Sequence, residues 1–477
     1  MKKVLFVLAL ALVSAAASAK VELPNFLGDN MVLQQQTGVA LWGTATPGKK
    51  VTIKPGWTRT TTTVKADAET GAWMARVYTP AAGGPYDIVI SDGEKLTVHN
   101  VLIGEVWFCS GQSNMEMPVK GYGSQPAKGS EDFIVKAKPS TPIRLCKIAK
   151  HSMTTPQDTV ITQGWKVHSP EAVANTSATG YFFAQYLQSV LDVPVGLVES
   201  DWGGSSIETW IDEKIIREQF GGEFDLAYLE KKEVDPRRAH HDPCLLYNGM
   251  VHALVPFTFK GFLWYQGETN RGRCDQYVRL QTAYVAMMRE QFQVPDAPFY
   301  FVQIAPYPYN APERWDSGYF YEAQQKTLAT IPHSGMAATV DIGEYGTIHP
   351  CQKPAVGKRL ALLALQHDYG VGGIEADAPT YKSFTVEDGK ALVSFNVGPL
   401  GLSPMGQDLD GFELAGADKV FHPAKARQKK GDLLVVWSDE VPEPVAVRYC
   451  FRNWGVGTVF NSYGIPLLPF RTDDWKL

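Results

Sequence analysis

The sequence has few cysteines, no excess of charge of one sign, and no long apolar run after its first residues. Six cysteines occur among 477 residues and none form a CxxC pair, which disfavours a disulfide-built scaffold and a zinc or thioredoxin-type site. Lys and Arg number 45 against 50 Asp and Glu, so the net charge of −5 provides no basic surface for nucleic acid. Without a further stretch of about 18 apolar residues, we expect no membrane span.

The first 19 residues have the pattern of an export signal. Met1 to Lys3 carries positive charge, Val4 to Val13 is almost wholly apolar, and Ala17 to Ala19 matches a small-residue cleavage site. No cysteine follows the apolar run, so a membrane anchor by lipid attachment is not indicated. We therefore expect cleavage near Ala19 and a periplasmic or secreted protein.

The pattern of residue types along the sequence changes twice after this segment. Residues 20–102 and 376–477 contain short runs rich in Val, Thr and Tyr between Gly and Pro turn signals, which predicts β-sandwich-like regions. Residues 103–375 alternate strand-like and helix-like segments. This alternation predicts an α/β fold class, with a parallel sheet covered by helices on both faces.

Residue types that support catalysis follow four predicted strands at their carboxyl ends. In an open parallel sheet, ligands bind along this edge. We therefore expect the four loops to form one site. In chain order, the loops contain Ser113, the pair Gly203 and Gly204, the run Gln266 to Asn270, and Asp341 with His349.

A serine nucleophile with a histidine base is the chemistry that these loops favour. Ser113 lies in the run CSGQSNME, from Cys109 to Glu116, where Gly111 permits a tight turn. A serine hydroxyl attacks well only when a neighbouring base takes its proton, and His349 is the candidate base. The sequence has no Gly-x-Ser-x-Gly motif, which argues against an α/β-hydrolase.

Four runs together resemble a known family. They are GEVWFCSGQSNM (104–115), WGGSSIETW (202–210), WYQGETN (264–270) and IHP (348–350). In these runs the chain resembles the sialate O-acetylesterases, a branch of the SGNH/GDSL-type esterases that also includes acetylxylan esterases. The resemblance implies an SGNH-hydrolase-like three-layer α/β/α catalytic domain over residues 103–375, between the two β regions.

The resemblance also implies roles for individual residues. Ser113 is expected to be the nucleophile and His349 the base. The oxyanion hole is expected to combine the Ser113 N–H, a glycine N–H and a side-chain donor, and other polar residues of the motifs are expected to bind substrate. The glycine is Gly203 or Gly204, the donor comes from Gln266 or Asn270, and the substrate-binding residues are Gln112, Asn114, Trp202 and Glu268.

The acid that orients the histidine is left open by the sequence. Many SGNH enzymes carry it three residues before the histidine, where this chain has Gly346. Asp341 and Glu344 both lie on the loop before His349, and a Ser–His dyad held by a backbone carbonyl is a third possibility. We favour Asp341.

Aromatic residues crowd near the motifs. We expect most of them to pack in the core and some to form a wall on which a sugar stacks. They are Trp107, Trp202, Trp210, Trp264 and Tyr265.

The expected function is hydrolysis of O-acetyl esters on a carbohydrate, through an acetyl-enzyme on Ser113 and without a metal or an organic cofactor. 9-O-acetyl sialic acid is the favoured substrate, and acetylated xylan or another glycan is the alternative. A non-catalytic glycan-binding protein and a lipase for small or lipid esters are further hypotheses. Glycoside hydrolysis by paired carboxylates is a less economical one, from Glu116, Glu208 and Glu268. The oligomeric state and disulfide pairing are undecided.

Overall fold

The computed structural model describes residues 20–475, so the predicted signal peptide, residues 1–19, lies outside the described residues. No helix in the described range has the length and apolar character needed to cross a membrane. All six cysteines fall within this range and are free thiols.

The region after residue 20 consists of short strands, all but the first of which pair in two antiparallel groups; the first, Val32–Gln34, runs parallel to residues 102–104. One group pairs β2 with β5, and in the other β3 pairs with β4 and β6. Along β5 exposed and buried residues alternate, as expected for a strand with one face on a core. The strands are β1 (Val32–Gln34), β2 (Gly38–Thr44), β3 (Lys50–Pro55), β4 (Thr62–Lys65), β5 (Ala72–Tyr78) and β6 (Gly83–Ser91).

Strand β7 (Lys95–Gly111) joins this region to the central sheet. Its first half pairs antiparallel with β6, and its second half lies in the middle of the parallel sheet. Every residue from Val101 to Gly111 is buried. The predicted boundary between residues 102 and 103, which stays a prediction, therefore falls inside one uninterrupted strand.

The central sheet has the strand order β13-β12-β11-β7-β10-β8-β9, parallel except for β9, which is antiparallel to β8. Strands β10, β11 and β12 are buried along their whole length, as expected for a sheet covered on both faces. The strands are β8 (Ile143–Ile148), β9 (Thr162–Val167), β10 (Val195–Asp201), β11 (Gly261–Tyr265), β12 (Phe299–Val302) and β13 (Ser334–Ala337).

Helices cover the two faces of this sheet. On one face α4 and α9 pack over Trp107 of β7, and on the other α7 and α8 pack over Phe108. The helices are α1 (Ser113–Glu116), α2 (Ser130–Val135), α3 (Pro170–Asn175), α4 (Ala178–Leu191), α5 (Glu213–Gln219), α6 (Ala227–Lys231), α7 (Cys274–Gln291), α8 (Asp316–Thr330) and α9 (Lys353–His367). Short 3-10 turns occupy Ile207–Trp210, His252–Leu254 and Glu268–Asn270, and a π turn occupies Tyr247–Val251. The predicted three-layer α/β/α arrangement is confirmed.

The C-terminal region is an antiparallel sheet of seven strands, in the order β14-β15-β19-β18-β17-β20-β22, with β16 and β21 paired separately. Its core includes Val340 from the α/β region, so the two regions share packing. The strands are β14 (Thr380–Glu387), β15 (Lys390–Asn396), β16 (Leu402–Ser403), β17 (Leu409–Ala415), β18 (Phe421–Lys430), β19 (Leu433–Trp437), β20 (Ala446–Tyr449), β21 (Phe460–Asn461) and β22 (Phe470–Arg471).

Candidate active site

The loops that carry the predicted site residues converge at the carboxyl edge of the central sheet. Ser113 follows β7, and the neighbouring strands β10 and β11 lead into the loops of Gly203 and Gln266. Because β7 lies between β10 and β11, the three loops meet around Ser113. The loop of His349 follows β13 and reaches the same place through the contacts described below.

Ser113 sits on a sharp turn between β7 and α1. Gly111 has a φ of +143°, and a Cβ at this position would lie 2.2 Å from the carbonyl oxygen of Tyr265, so only glycine fits. The Gln112 N–H donates to that carbonyl at 2.9 Å, and the Gln112 side chain accepts from the Gly267 N–H at 3.1 Å. Gln112 is therefore buried in the turn. Ser113 begins α1, so its own N–H has no acceptor within the helix.

Gly203 packs directly against the serine. A Cβ on Gly203 would lie 3.3 Å from the Cβ of Ser113. Its N–H donates to the Glu116 carboxylate, which also pairs with the Lys150 ammonium at 2.6 Å. The Gly203 N–H, a predicted oxyanion-hole donor, is thus already hydrogen-bonded to the Glu116 carboxylate beside the serine. An oxyanion bound there has to take the place of Glu116.

Gln266 and Asn270 are fully buried and hydrogen-bonded to the protein. The Gln266 amide donates to the Ser205 carbonyl at 3.1 Å and to Asn270 Oδ1 at 2.6 Å. The Asn270 amide donates to Glu208 Oε2 at 2.9 Å, and Arg273 pairs with the other Glu208 oxygen at 2.7 Å. In this arrangement both side chains brace the loops behind Gly203 and Gly204.

Asn114 and Glu268 lie beneath the serine in a buried network with Lys353. The Asn114 amide donates to Glu268 Oε1 at 2.7 Å and to the Ile348 carbonyl at 3.1 Å, while the Lys353 ammonium donates to Asn114 Oδ1 at 2.5 Å. Burial raises the pKa of Glu268 and lowers the pKa of Lys353 to about 7. The network ties the residue after Ser113 to the residue before His349.

His349 faces the turn that follows α1. Its Nδ1 lies 2.7 Å from Gln125 Oε1, and the Tyr122 ring meets its ring edge-on at a centroid distance of 5.4 Å. The Tyr122 hydroxyl donates to the Ser113 carbonyl at 3.2 Å. Burial, reinforced by the charge of Lys353 and opposed by that of Glu116, lowers the pKa of His349 to about 4. The imidazole is therefore neutral at pH 7 and able to accept a proton.

The two candidate acids have other partners. Both oxygens of Asp341 accept from the Arg359 guanidinium, at 2.8 and 2.6 Å. Glu344 Oε1 accepts from the Cys351 N–H at 2.5 Å. The structure thus brings Ser113 and His349 into one cluster, but it places Asp341 against α9 rather than against His349.

The similarity of this chain to known proteins identifies its family. Residues 103–366 match the family model described as carbohydrate esterase, sialic acid-specific acetylesterase. The chain belongs to this family. It is therefore a carboxylic ester hydrolase, and the predicted carbohydrate O-acetylesterase class is confirmed.

Individual relatives extend the similarity to nearly the whole length of this esterase. A carbohydrate acetylesterase from Xanthomonas citri has 36% identity and a TM-score of 0.83, covering 95% of this chain and all of that one. The sialate O-acetylesterase of Mus musculus is 26% identical, over 94% of this chain and 92% of its own length. The Homo sapiens sialate O-acetylesterase is 28% identical, over 78% of this chain and 75% of its own.

Three residues of this esterase's site escaped the sequence reasoning: Tyr122, Gln125 and Lys353. Tyr122 and Gln125 lie on a turn rich in Gly and Ser that reads as an ordinary connection. Lys353 is the first residue of α9 and lies four residues after His349. This closeness in sequence is what could have pointed to a role for it in the site.

Most of the aromatic residues near the motifs pack in the core, as predicted, whereas the sugar-stacking wall stays a prediction. Four are buried in the core, while Trp202 is partly exposed and stacks on His240 at 5.9 Å. A second aromatic pair lies on the histidine side of the site: Tyr345, 60% exposed, meets Trp454 of the C-terminal region edge-on at 5.2 Å. The buried four are Trp107, Trp210, Trp264 and Tyr265.

Proposed function

We propose that this esterase removes O-acetyl groups from a sugar through an acetyl-enzyme on Ser113, with His349 as the general base. The observation that carries the proposal is the Tyr122 bridge, which contacts the Ser113 carbonyl and the His349 ring at once. It supports a serine and a neutral histidine at the carboxyl edge of the sheet. Those are the two groups that acyl transfer requires.

The reaction has two halves. Ser113 Oγ attacks the acetyl carbonyl carbon while His349 Nε2 takes the hydroxyl proton, and that proton then passes to the sugar oxygen as it leaves. Water then attacks the acetyl carbon while His349 Nε2 takes a proton from it, and the bond to Ser113 Oγ breaks as that proton passes to the serine oxygen, which releases acetic acid that ionises to acetate. The Ser113 N–H, at the start of α1, and the Gly203 N–H, once Glu116 yields it, would hold the negative oxygen of each tetrahedral intermediate.

For the substrate we propose 9-O-acetyl sialic acid first, with acetylated xylan or another acetylated glycan as the alternative. Support comes from the family description and from relatives that are named sialate O-acetylesterase. The Xanthomonas citri relative is named only a carbohydrate acetylesterase, which keeps the wider substrate class in view.

We also propose that the chain acts after export, in the periplasm or outside the cell. The support is the sequence of residues 1–19, where two lysines precede an apolar run and a small-residue cleavage pattern. An exported enzyme meets acetylated glycans directly.

The proposal is tested by covalent labelling together with acetate release. We expect a fluorophosphonate probe to label the wild-type protein on the peptide that contains Ser113, as read by mass spectrometry. We also expect acetate release from acetylated sialic acid or acetylated xylan, with nitrophenyl acetate cleaved much faster than the butyrate. Binding of glycans without labelling points to the non-catalytic hypothesis, and equal rates on the two nitrophenyl esters point to a lipase.

The pair Tyr345 and Trp454 gives a second prediction, because a rigid aromatic corner four residues from His349 can hold a sugar ring. We expect Tyr345→Ala and Trp454→Ala to raise KM for an acetylated oligosaccharide about tenfold, the equivalent of about 1.4 kcal/mol of stacking. Turnover of nitrophenyl acetate, which carries no sugar, should change by less than about twofold. Tyr78→Ala, at an equally exposed tyrosine of β5, is the control and should leave both substrates unaffected.

A further inference from the structure

The side chain that faces His349 Nδ1 is an amide rather than a carboxylate. Gln125 Oε1 lies 2.7 Å from this nitrogen, a good hydrogen-bond distance. An amide oxygen can only accept, so the Nδ1 must carry the proton. The other ring nitrogen, Nε2, is then left with its lone pair. This is the tautomer in which Nε2 can take a proton from a serine.

We propose that Gln125 is the positioning residue of this esterase, and that its amide oxygen fixes the tautomer and orientation of His349 in the place of a triad acid. The proposal rests on the proposed function, because it assigns a partner to the base of that mechanism. Gln125 contacts neither the acetyl group nor Ser113 in this role; it acts through His349.

The charges around His349 are consistent with a neutral partner. Lys353 on α9 and Glu116 on α1 are the charged groups that act on its pKa, with opposite signs, and the Tyr122 ring packs against it. Asp341 and Glu344, the carboxylates closest in sequence, are held by Arg359 and by the Cys351 N–H. Moving either of them to His349 would leave a buried or half-buried donor unpaired, which costs free energy.

The turn that carries Gln125 is closed by its own backbone hydrogen bonds and tied to the histidine loop, so the amide is held in place before substrate arrives. The backbones of Tyr122 and Gln125 exchange two hydrogen bonds, at 3.0 and 3.1 Å. Three residues further on, the Lys128 N–H donates to the Cys351 carbonyl at 2.8 Å. The turn is thus closed by its own backbone bonds, and Lys128 fastens the segment to the loop two residues after His349. A pre-organised partner loses little freedom when the base is used.

A neutral partner has a consequence for pH. A carboxylate would stabilise the imidazolium and raise the pKa of His349, whereas an amide oxygen adds only a dipole. The pKa of His349 is already lowered to about 4 by burial. Because the neutral form is the base, kcat/KM should hold as pH falls below 6.5 and decline only near pH 4 to 5.

The test compares three variants of the full-length protein over pH 3.5 to 9. Gln125→Met keeps the length of the side chain but removes the acceptor. Gln125→Glu keeps an acceptor and adds charge. Lys120→Ala, on the same loop but with its ammonium bonded to Asn175 of α3, is the matched control. The readouts are kcat and KM for nitrophenyl acetate, thermal unfolding, and fluorophosphonate labelling of Ser113.

We expect Gln125→Met to lower kcat about 10- to 100-fold with KM nearly unchanged, as loss of a ligand-orienting partner does in metal sites. Gln125→Glu should keep kcat within about tenfold of the wild type and shift the acid limb of the kcat/KM profile upward by about one to two pH units, because the new carboxylate favours the imidazolium. Lys120→Ala should match the wild type in all readouts.

Two results would overturn the proposal. One is a Gln125→Met variant with wild-type kcat, and the other is a Gln125→Glu variant whose acid limb does not move although the protein is folded. In either case labelling of wild-type Ser113 shows that the proposed function survives and only the role of Gln125 is lost. If wild-type Ser113 does not label, it is the proposed function that fails.

Discussion

Replacement of Ser113 by alanine is expected to lower kcat for acetate release by at least about 10⁴-fold, since loss of a serine nucleophile removes the covalent path altogether. The stability of the fold should be nearly unchanged. Ser113 is partly exposed, and its packing against Gly203 is made through the Cβ that alanine retains. We expect the free energy of unfolding to change by less than about 0.5 kcal/mol. Acetate release and thermal unfolding, measured on the same preparation, check both statements.

The control for this variant is Ser189→Ala. Ser189 is exposed on α4, and its hydroxyl donates to the Tyr186 carbonyl of the same helix, away from the site. It should behave as wild type in both measurements. Retention of activity in Ser113→Ala, with Ser189→Ala unchanged, would contradict the serine mechanism.

Replacement of Asp341 by asparagine is expected to cost stability rather than chemistry. The Asp341–Arg359 pair is largely buried, with side-chain exposures of 13% and 9%, and it is bidentate. Removing one charge of such a pair leaves the other uncompensated, which typically costs about 3–5 kcal/mol. The kcat of the folded protein should stay within about threefold of the wild type, because no Asp341 oxygen is needed by His349 in this geometry.

The same variant also shows whether Asp341 or another group orients His349. If Asp341 were the triad acid, Asp341→Asn would lower kcat by about 10⁴-fold, as in the serine-protease case, with the protein still folded. Denaturant unfolding and kcat together distinguish the outcomes. Asp377→Asn is the control, because that carboxylate is 60% exposed in its pair with His367 and such surface pairs contribute about 0–1 kcal/mol.

Most of the fold was accessible from local sequence patterns. Val195–Asp201 is buried along its whole length and begins with the apolar run Val-Gly-Leu-Val, which reads as a strand, while α7 shows its helical spacing directly. Gly111 is a local signal as well, because only glycine allows its close approach to the backbone of Tyr265. These patterns placed the four loops at one edge of the sheet. The roles of Ser113 and His349 stay predictions.

The partners of the polar side chains were not accessible in this way. His349 meets Gln125 across 224 positions of the chain, and Lys353 meets Asn114 across 239. The type of a residue determines which hydrogen bonds its side chain can make, but it does not identify the distant residue that is the partner. Asp341 was a reasonable candidate acid because of its residue type and its position before His349. In the structure, however, its carboxylate pairs with Arg359 of the following helix, α9.

Strand β7 bears on how this esterase can be taken apart. The strand is 17 residues long, roughly 55 Å when fully extended, and it runs from the outer β region to within two residues of Ser113. Because one continuous strand belongs to both sheets, it fixes the position of the outer region relative to the loop of Ser113. Cutting the chain at residue 102 would therefore break a continuous strand rather than a flexible linker. The outer region cannot be exchanged as an independent domain.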